Sequence, residues 1–458
     1  MEHAKLQSRD ASFQKAFLPY ILLGIALVFY STVRIISLSQ SVQRVKSTAD
    51  TTAYMRISQE QVLSQEFLAG SRPMLFPLVL KLFGQQAEKV VWAQGIFSIL
   101  SWSLLAVALA SSLRTNILRF AAGCLILLLS LYQYIIGWDS VLLTESLSLS
   151  LMALLVSGWL WLMHGWRWEK IVLILVAAFL WSLSRDTNAW VLLMIAGVLL
   201  MLLMFGIINK KYLVFIAAFG IMFFLSNLSA DLGNRWVFPF QNVLGRRLLP
   251  TAQAVDQLAG CGMPVSPELM RLAGEFANGL DRAFYNDPAL ESYRAWLHES
   301  GKSCYIRWLL SDPLQSIGQP MSEFDVLAGM HKIQPFLFSA RFSPVLPARV
   351  EAALTLRQQS LFVFILASSL AVLALLTGAM RRNTAWWVAI VLAVLVFPHF
   401  FIVWHGDVLG IERHAVSPGI QLYLAMWILL LLAADEILDP ITSRRPLMTL
   451  IHSRNVKS

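Results

Sequence analysis

Runs of about 20 apolar residues, separated by short polar connections, dominate the chain and predict membrane-spanning helices. They fall at Phe17–Ile36, Val90–Ser111, Ile117–Ile136, Val141–Met163, Ile171–Leu183, Ala189–Ile208, Tyr212–Leu228, Ser360–Met380, Ala385–Trp404 and Ala415–Ala434, about ten spans with the fifth short. Two long segments are left over, Ser37–Lys89 and Ser229–Arg357. In the first, Ser47-Thr48-Ala49-Asp50 precedes Ala53, Ile57, Val62 and Leu63 at near-helical spacing, while Arg56, Gln59, Glu60 and Gln65 take the rest of the surface. That pattern predicts an amphipathic helix lying in the membrane interface. Gly70-Ser71-Arg72-Pro73 ends it, and Met74–Phe83 follows as a second apolar stretch interrupted by Pro77.

The expected fold is therefore an all-α polytopic membrane protein with a mainly helical second outer segment. Its parts are an N-terminal arm (1–16), a transmembrane module (17–228) that contains the 37–89 loop, the 229–357 segment, C-terminal helices (358–434) and a tail (435–458).

Composition agrees with the pattern. Of 458 residues, 57% are hydrophobic and 14% charged, with a mean hydropathy of +0.64. A soluble domain carries about 25% charge, so a simple cytosolic enzyme and a disordered chain are both excluded. The net charge of +9 suggests nucleic acid until the cations are placed. Lys5, Arg9 and Lys15, Arg114 and Arg119, Arg167 and Lys170, Lys210 and Lys211, Arg381 and Arg382, then Arg444, Arg445, Arg454 and Lys457 fall at alternate span ends. The short connections of the other side carry only Arg185 and Arg413. The positive-inside rule puts the cation-rich side, and both termini, in the cytoplasm. The charge thus records topology, and no nucleic-acid partner is expected. The first apolar run is too long for a signal-peptide core and has no small-residue cleavage site after it, so it reads as a permanent span. The short loops fit a bacterial inner membrane. Of three cysteines, Cys124 lies in a span, while Cys261 and Cys304 share the second outer segment, where an oxidising compartment would allow them to pair.

Ions near a bilayer are costly and persist when paired, solvated or functional. The sequence gathers them at one set of span ends: Asp139 and Glu145, Arg185 and Asp186, then His405, Asp407, Glu412 and Arg413, all on the side that carries Asp50. Each has a structural and a chemical reading. Asp50 is a helix N-cap or a general base at the water–membrane boundary, with Tyr54 one turn on along the same face. Arg185 and Arg413 are internal ion-pair partners of Asp186 and Glu412, or bidentate holders of a phosphate. Glu145 is a helix-opening acid or a site carboxylate, and Asp139 ends a turn or supports the site. His405 touches phosphate or is simply hydrogen-bonded, and Arg72 meets lipid headgroups or substrate.

Asp50-Thr51-Thr52-Ala53-Tyr54, followed by Ser71-Arg72-Pro73-Met74-Leu75-Phe76-Pro77-Leu78, resembles the first outer loop of the GT-C class of polyprenyl-phosphate-sugar-dependent glycosyltransferases. The protein O-mannosyltransferases and the lipid A aminoarabinose transferases are examples. Thr144-Glu145-Ser146, Ser184-Arg185-Asp186 and Glu412-Arg413-His414 are similar to further steps of that pattern. Two departures are plain: Asp186 follows Arg185 directly, where Pro often intervenes, and His414 stands where Tyr is common. The likeness covers about residues 17–230 and, loosely, 395–435, and leaves 229–357 outside. It implies a GT-C-like fold and a polyprenyl-phosphate sugar donor. The acceptor would be a hydroxyl of a glycan, lipid or protein, with Asp50 as base and Arg185, Arg413 and His405 at the donor phosphate. Tyr54, Arg72, Asp139, Glu145 and Asp186 would support them. No Asp-x-Asp pair calls for a metal, although a divalent ion could assist the departing phosphate.

The residues alone also admit a transporter or flippase of a lipid-linked glycan, a surface-polysaccharide polymerase or ligase, and a non-catalytic assembly subunit. A transporter would show two related halves with interrupted helices, and no such repeat is visible. A polymerase would work through a late outer loop, which 229–357 keeps open.

Overall fold

Apolar runs of this length have one way to satisfy their backbone in lipid, and the chain takes it. A computed structural model describes residues 2–330 and 344–439. The expected tail cations Arg444, Arg445, Arg454 and Lys457 lie outside the described residues. Among those described there is no β-strand, only an isolated bridge between Lys46 and Val141.

Among the described residues, eight helices are long and apolar enough to cross a membrane: Leu18–Val42, Ala87–Ser112, Glu145–Met163, Asp186–Met204, Lys210–Leu232, Ser360–Thr377, Ala385–Gly406 and Ile411–Leu438. The expected third span is a pair, Asn116–Ser130 and Gln133–Ser140, bent by 55°. The expected fifth is the helix Trp168–Ser182, only 15 residues long. The expected fourth starts late, at Glu145, because Val141 is held as extended chain against Lys46. The Ala385–Gly406 span is interrupted at Leu395, where Pro398 has no N–H to give the carbonyl of Val394.

Ile411–Leu438 is the central helix, with 89% of its apolar window buried, whereas Leu18–Val42 lies at the edge with 22%. Small residues explain the central position. Ala415, Gly419 and Ala425 let neighbouring backbones approach, and a Cβ at Gly419 would lie 2.6 Å from the carbonyl oxygen of Ala328.

Both long loops fold over the same end of the bundle. In the first, Ala49–Gln59 is helical, capped by Thr48 and Thr51 in a reciprocal capping box. Asp50 is therefore not the N-cap. The helix also stops short of the expected apolar face: Glu60 is extended, Lys81 donates to the carbonyls of Ser58 and Glu60, and Val62 and Leu63 are exposed. Its buried face is Thr51, Tyr54, Ile57 and Ser58, with Tyr54 edge-on to Phe76 of the Leu75–Leu82 helix.

The second segment has its own core, built on Phe240, Leu244, Leu258, Leu269, Phe284, Tyr293 and Leu297. Cys261 and Cys304 form a disulfide there, with Cα atoms 5.9 Å apart across 43 residues. Closing a loop of that size removes about 4 kcal/mol of unfolded-state entropy in the chain-entropy picture.

The two loops meet closely. Ser229 Oγ donates to the carbonyl of Leu68 and Arg235 to that of Gly70, and a Cβ on Gly233 would overlap the carbonyl oxygens of Ala69 and Gly70. Gly233→Ala is expected to cost about 1–3 kcal/mol through this overpacking. Thermal unfolding in detergent, together with faster proteolysis of the 229–330 region, would reveal it.

Candidate active site

Between the two loops and the span ends lies a cavity of about 460 Å³. Asp50, Tyr54, Arg72, Glu145, Arg185, Asp186, His405 and Arg413 all line it, although they come from separate stretches of chain.

Asp50 lies one residue inside the helix that Thr48 caps, and both its oxygens are taken by arginines. Arg72 Nη2 donates to Oδ1 and Arg413 Nη1 to Oδ2 at 2.8 Å. Arg413 also places Nε 3.1 Å from Glu145 Oε1, and Arg185 Nη1 lies 3.6 Å from that same oxygen. Arg185 Nη2 contacts Nδ1 of His414. Since guanidinium only donates, His414 accepts there and carries its proton on Nε2. Arg72 also sits over the ring of Tyr54, 6.0 Å from its centroid.

This cluster unites Arg72, Arg185 and Arg413 with Asp50 and Glu145, three cations against two anions. One positive charge is left over. Only 11% of the Arg185 and Arg413 side chains is exposed, so the excess acts in a poorly screened setting. Burial disfavours the charged form of Asp50, but Arg413 and then Arg72 outweigh it and hold the carboxyl below its ordinary range.

Neither arginine pairs as its sequence neighbours suggested. Asp186 turns to Arg235, which grips it with two bonds of 2.9 and 3.0 Å, and Arg413 reaches Asp50 and Glu145 rather than Glu412. Asp186 thus ties the second segment to the cavity floor and leaves Arg185 to the central cluster. Lys302 and Asp231 make a further rim pair at 2.7 Å.

Two expected members stand differently. Asp139 does not reach the cavity: it is buried with Arg34 at 2.5 Å, accepts from Ser146 at 2.6 Å, and shares Arg34 with Ser98 and the carbonyl of Ser130. Its job is to neutralise a charge inside the first span, where an unpaired Arg would be costly. His405 does line the cavity, but both ring nitrogens are engaged, Nε2 with the carbonyl of Ser316 at 2.9 Å and Nδ1 with Tyr305 at 3.2 Å. As it stands, His405 joins the second segment to the span end and offers no free donor to a phosphate.

Sequence reasoning missed Arg34, Arg235 and Tyr305. Arg34 had a visible signal, a guanidinium near the end of an apolar run. Arg235 and Tyr305 had none, because their partners are 49 and 100 residues away. A further carboxylate also lines the cavity. Asp407 accepts from Asn242 Nδ2 at 3.0 Å and from the Leu409 amide at 2.9 Å. Burial pushes its carboxyl up, and among the described residues no ion pair joins it to an arginine.

Among the described residues no three His, Cys, Asp or Glu side chains converge as a metal-binding group. The cavity carboxylates Asp50 and Glu145 are turned to arginines instead. The donor set therefore does not fit a divalent ion.

No family model matches the chain, and no curated protein matches it.

Proposed function

We propose that this is a membrane glycosyltransferase that moves a sugar from a polyprenyl-phosphate donor to an acceptor hydroxyl. The observation that carries the reading is the meeting of Asp50 with Arg72, Arg185 and Arg413, drawn from three distant parts of the chain, in one recessed cavity. A sugar phosphodiester carries a single negative charge, and the three guanidinium groups of this cluster outnumber its two carboxylates. The ordered resemblance to GT-C enzymes points the same way. The cation distribution supports a cavity on the extracytoplasmic side with both termini cytoplasmic, and the short loops support a bacterial inner membrane.

In this reading the phosphate takes guanidinium donors of Arg185 and Arg413, three of which now face Glu145 and Asp50. The acceptor oxygen attacks the anomeric carbon as Asp50 takes its proton. The bond from that carbon to the phosphate oxygen breaks, and its electron pair leaves with polyprenyl phosphate. The leaving group gains about one negative charge, which the arginines stabilise more strongly than they did the substrate; this is the differential binding that lowers a barrier. One displacement inverts the anomeric centre. Reconstituted protein offered a panel of radiolabelled polyprenyl-phosphate sugars tests the reading, which fails if none is transferred or hydrolysed.

A pH profile follows from the arginine pairing. Because the folded Asp50 carboxyl lies below its ordinary value, it stays ionised at neutral pH and its ion pairs hold well into the acid range. Its contribution to stability is present above the unfolded-state value and disappears as pH falls through the lower folded one. The acid limb of kcat/KM, which reports the free enzyme, is expected below the usual carboxylate range. The limb of kcat should lie higher, since bound phosphate occupies the arginines. Initial-rate measurements across pH would show the two limbs separated in that order.

A further inference from the structure

The second segment carries an apolar stripe that its own core does not use. Ile306 and Leu310 lie on the Lys302–Ser311 helix, and Leu314 and Ile317 on Pro313–Ala328, which follows after Asp312. Within each helix the two residues are four or three positions apart and share a face, and the chain turns at Asp312 between the helices. The four residues are 47%, 71%, 84% and 47% exposed. Arg307, Ser311 and Gly318 are exposed beside them. Four neighbouring aliphatic side chains turned outward are more than a scatter of surface residues.

Two contacts fix the level of this stripe. The carbonyl of Ser316 bonds His405, one residue from the end of the Ala385–Gly406 span, which sets Leu314 and Ile317 beside that span's end. Further along the same helix Phe324 is fully buried, packed on Phe364 of the Ser360–Thr377 span and on Phe397 and Phe400. The helix thus enters the bundle between two spans, and on the Ser360–Thr377 span that it packs against, Leu361, Phe362 and Ile365 are exposed as well. Ile306, with the adjacent Leu309, also lines the cavity opposite Phe401 and Ile402.

We propose that this helical elbow is immersed in the leaflet at the cavity end of the bundle, with Ile306, Leu310, Leu314 and Ile317 contacting lipid hydrocarbon and Arg307 reaching the headgroups. The second segment is then a wall between bilayer and cavity, through whose rim a lipid-borne molecule passes sideways. The inference rests on the membrane reading of the apolar helices and not on sugar transfer.

Spin labels test it in a Cys124→Ala background in phosphatidylethanolamine–phosphatidylglycerol nanodiscs. Leu314→Cys and Ile317→Cys are compared with Phe362→Cys on a span and Glu291→Cys on the exposed part of the segment. The expected ratio of oxygen to nickel-chelate accessibility matches Phe362→Cys. A ratio like that of Glu291→Cys puts the stripe in water and overturns the proposal. Low accessibility to both reagents means that protein, such as a second copy, covers it, and overturns it equally. Diazirine-bearing acyl chains provide a check on the unaltered protein: labelling of the 302–321 peptide supports immersion, and its absence while the 360–377 peptide is labelled refutes it.

Discussion

Replacing Asp50 with Asn is expected to lower transfer by about 10²–10⁴-fold, the usual contribution of a positioned general base. The substitution keeps the shape and leaves oxygen and nitrogen near Arg72 and Arg413, but it removes the group that accepts the acceptor's proton. The loss should fall on kcat, with little change in KM for the donor, because the base acts on the acceptor. Asp407→Asn is the matched control. Asp407 lines the same cavity, its carboxyl is pushed up by burial, and it lies on the side of the second segment. If Asp407→Asn abolishes transfer while Asp50→Asn retains it, the base has been misassigned and Asp50 is only an anchor for arginines. Reconstituted initial rates with both variants separate the two cases.

The difference between those carboxylates was not legible in the sequence. Asp50 stood out because a carboxylate beside an apolar loop pattern needs a reason, and the arginines at span ends stood out because such positions are scarce. That much follows from the cost of ions near lipid. Which ion meets which did not follow. Arg413 lies 363 residues from Asp50, and Arg235 takes Asp186 from 49 residues away, so local spacing favoured the neighbours Asp186 and Glu412 as partners. Packing decided otherwise, since the central helix brings Arg413 to the start of the Glu145–Met163 helix.

Membrane helices were the readable part, because hydrophobic length is a one-dimensional signal. The shortness of the fifth run was legible too, whereas the bend in the third and the late start of the fourth are set by contacts between segments: the Lys46–Val141 bridge and the tucking of Gln133–Ser140 against the first span. His405 shows the same limit. A histidine at a span end in a basic basin looks like a phosphate ligand until Tyr305 and Ser316, from a segment with no recognisable pattern, occupy both its nitrogens.

Arg413→Met is expected to damage stability as well as transfer, and the two losses can be separated. Met fills much of the same volume, but Asp50 Oδ2 and Glu145 Oε1 lose their contacts at 2.8 and 3.1 Å. Glu145 is 4% exposed and keeps only Arg185 at 3.6 Å. Removing one partner of a buried pair costs about 3–5 kcal/mol, mostly from the charge left behind. The low end applies here, because Arg72 and Arg185 partly compensate. Adding Glu145→Gln removes the carboxylate left with one long contact but also takes the ion-pair partner of Arg185, so the double variant should regain only part of the lost thermal stability in a double-mutant cycle. Transfer should not return with it. A phosphate leaving with growing negative charge still lacks its guanidinium, and kcat stays low. If the double variant recovers both stability and transfer, Arg413 serves the fold alone and donor binding must be sought elsewhere in the cavity.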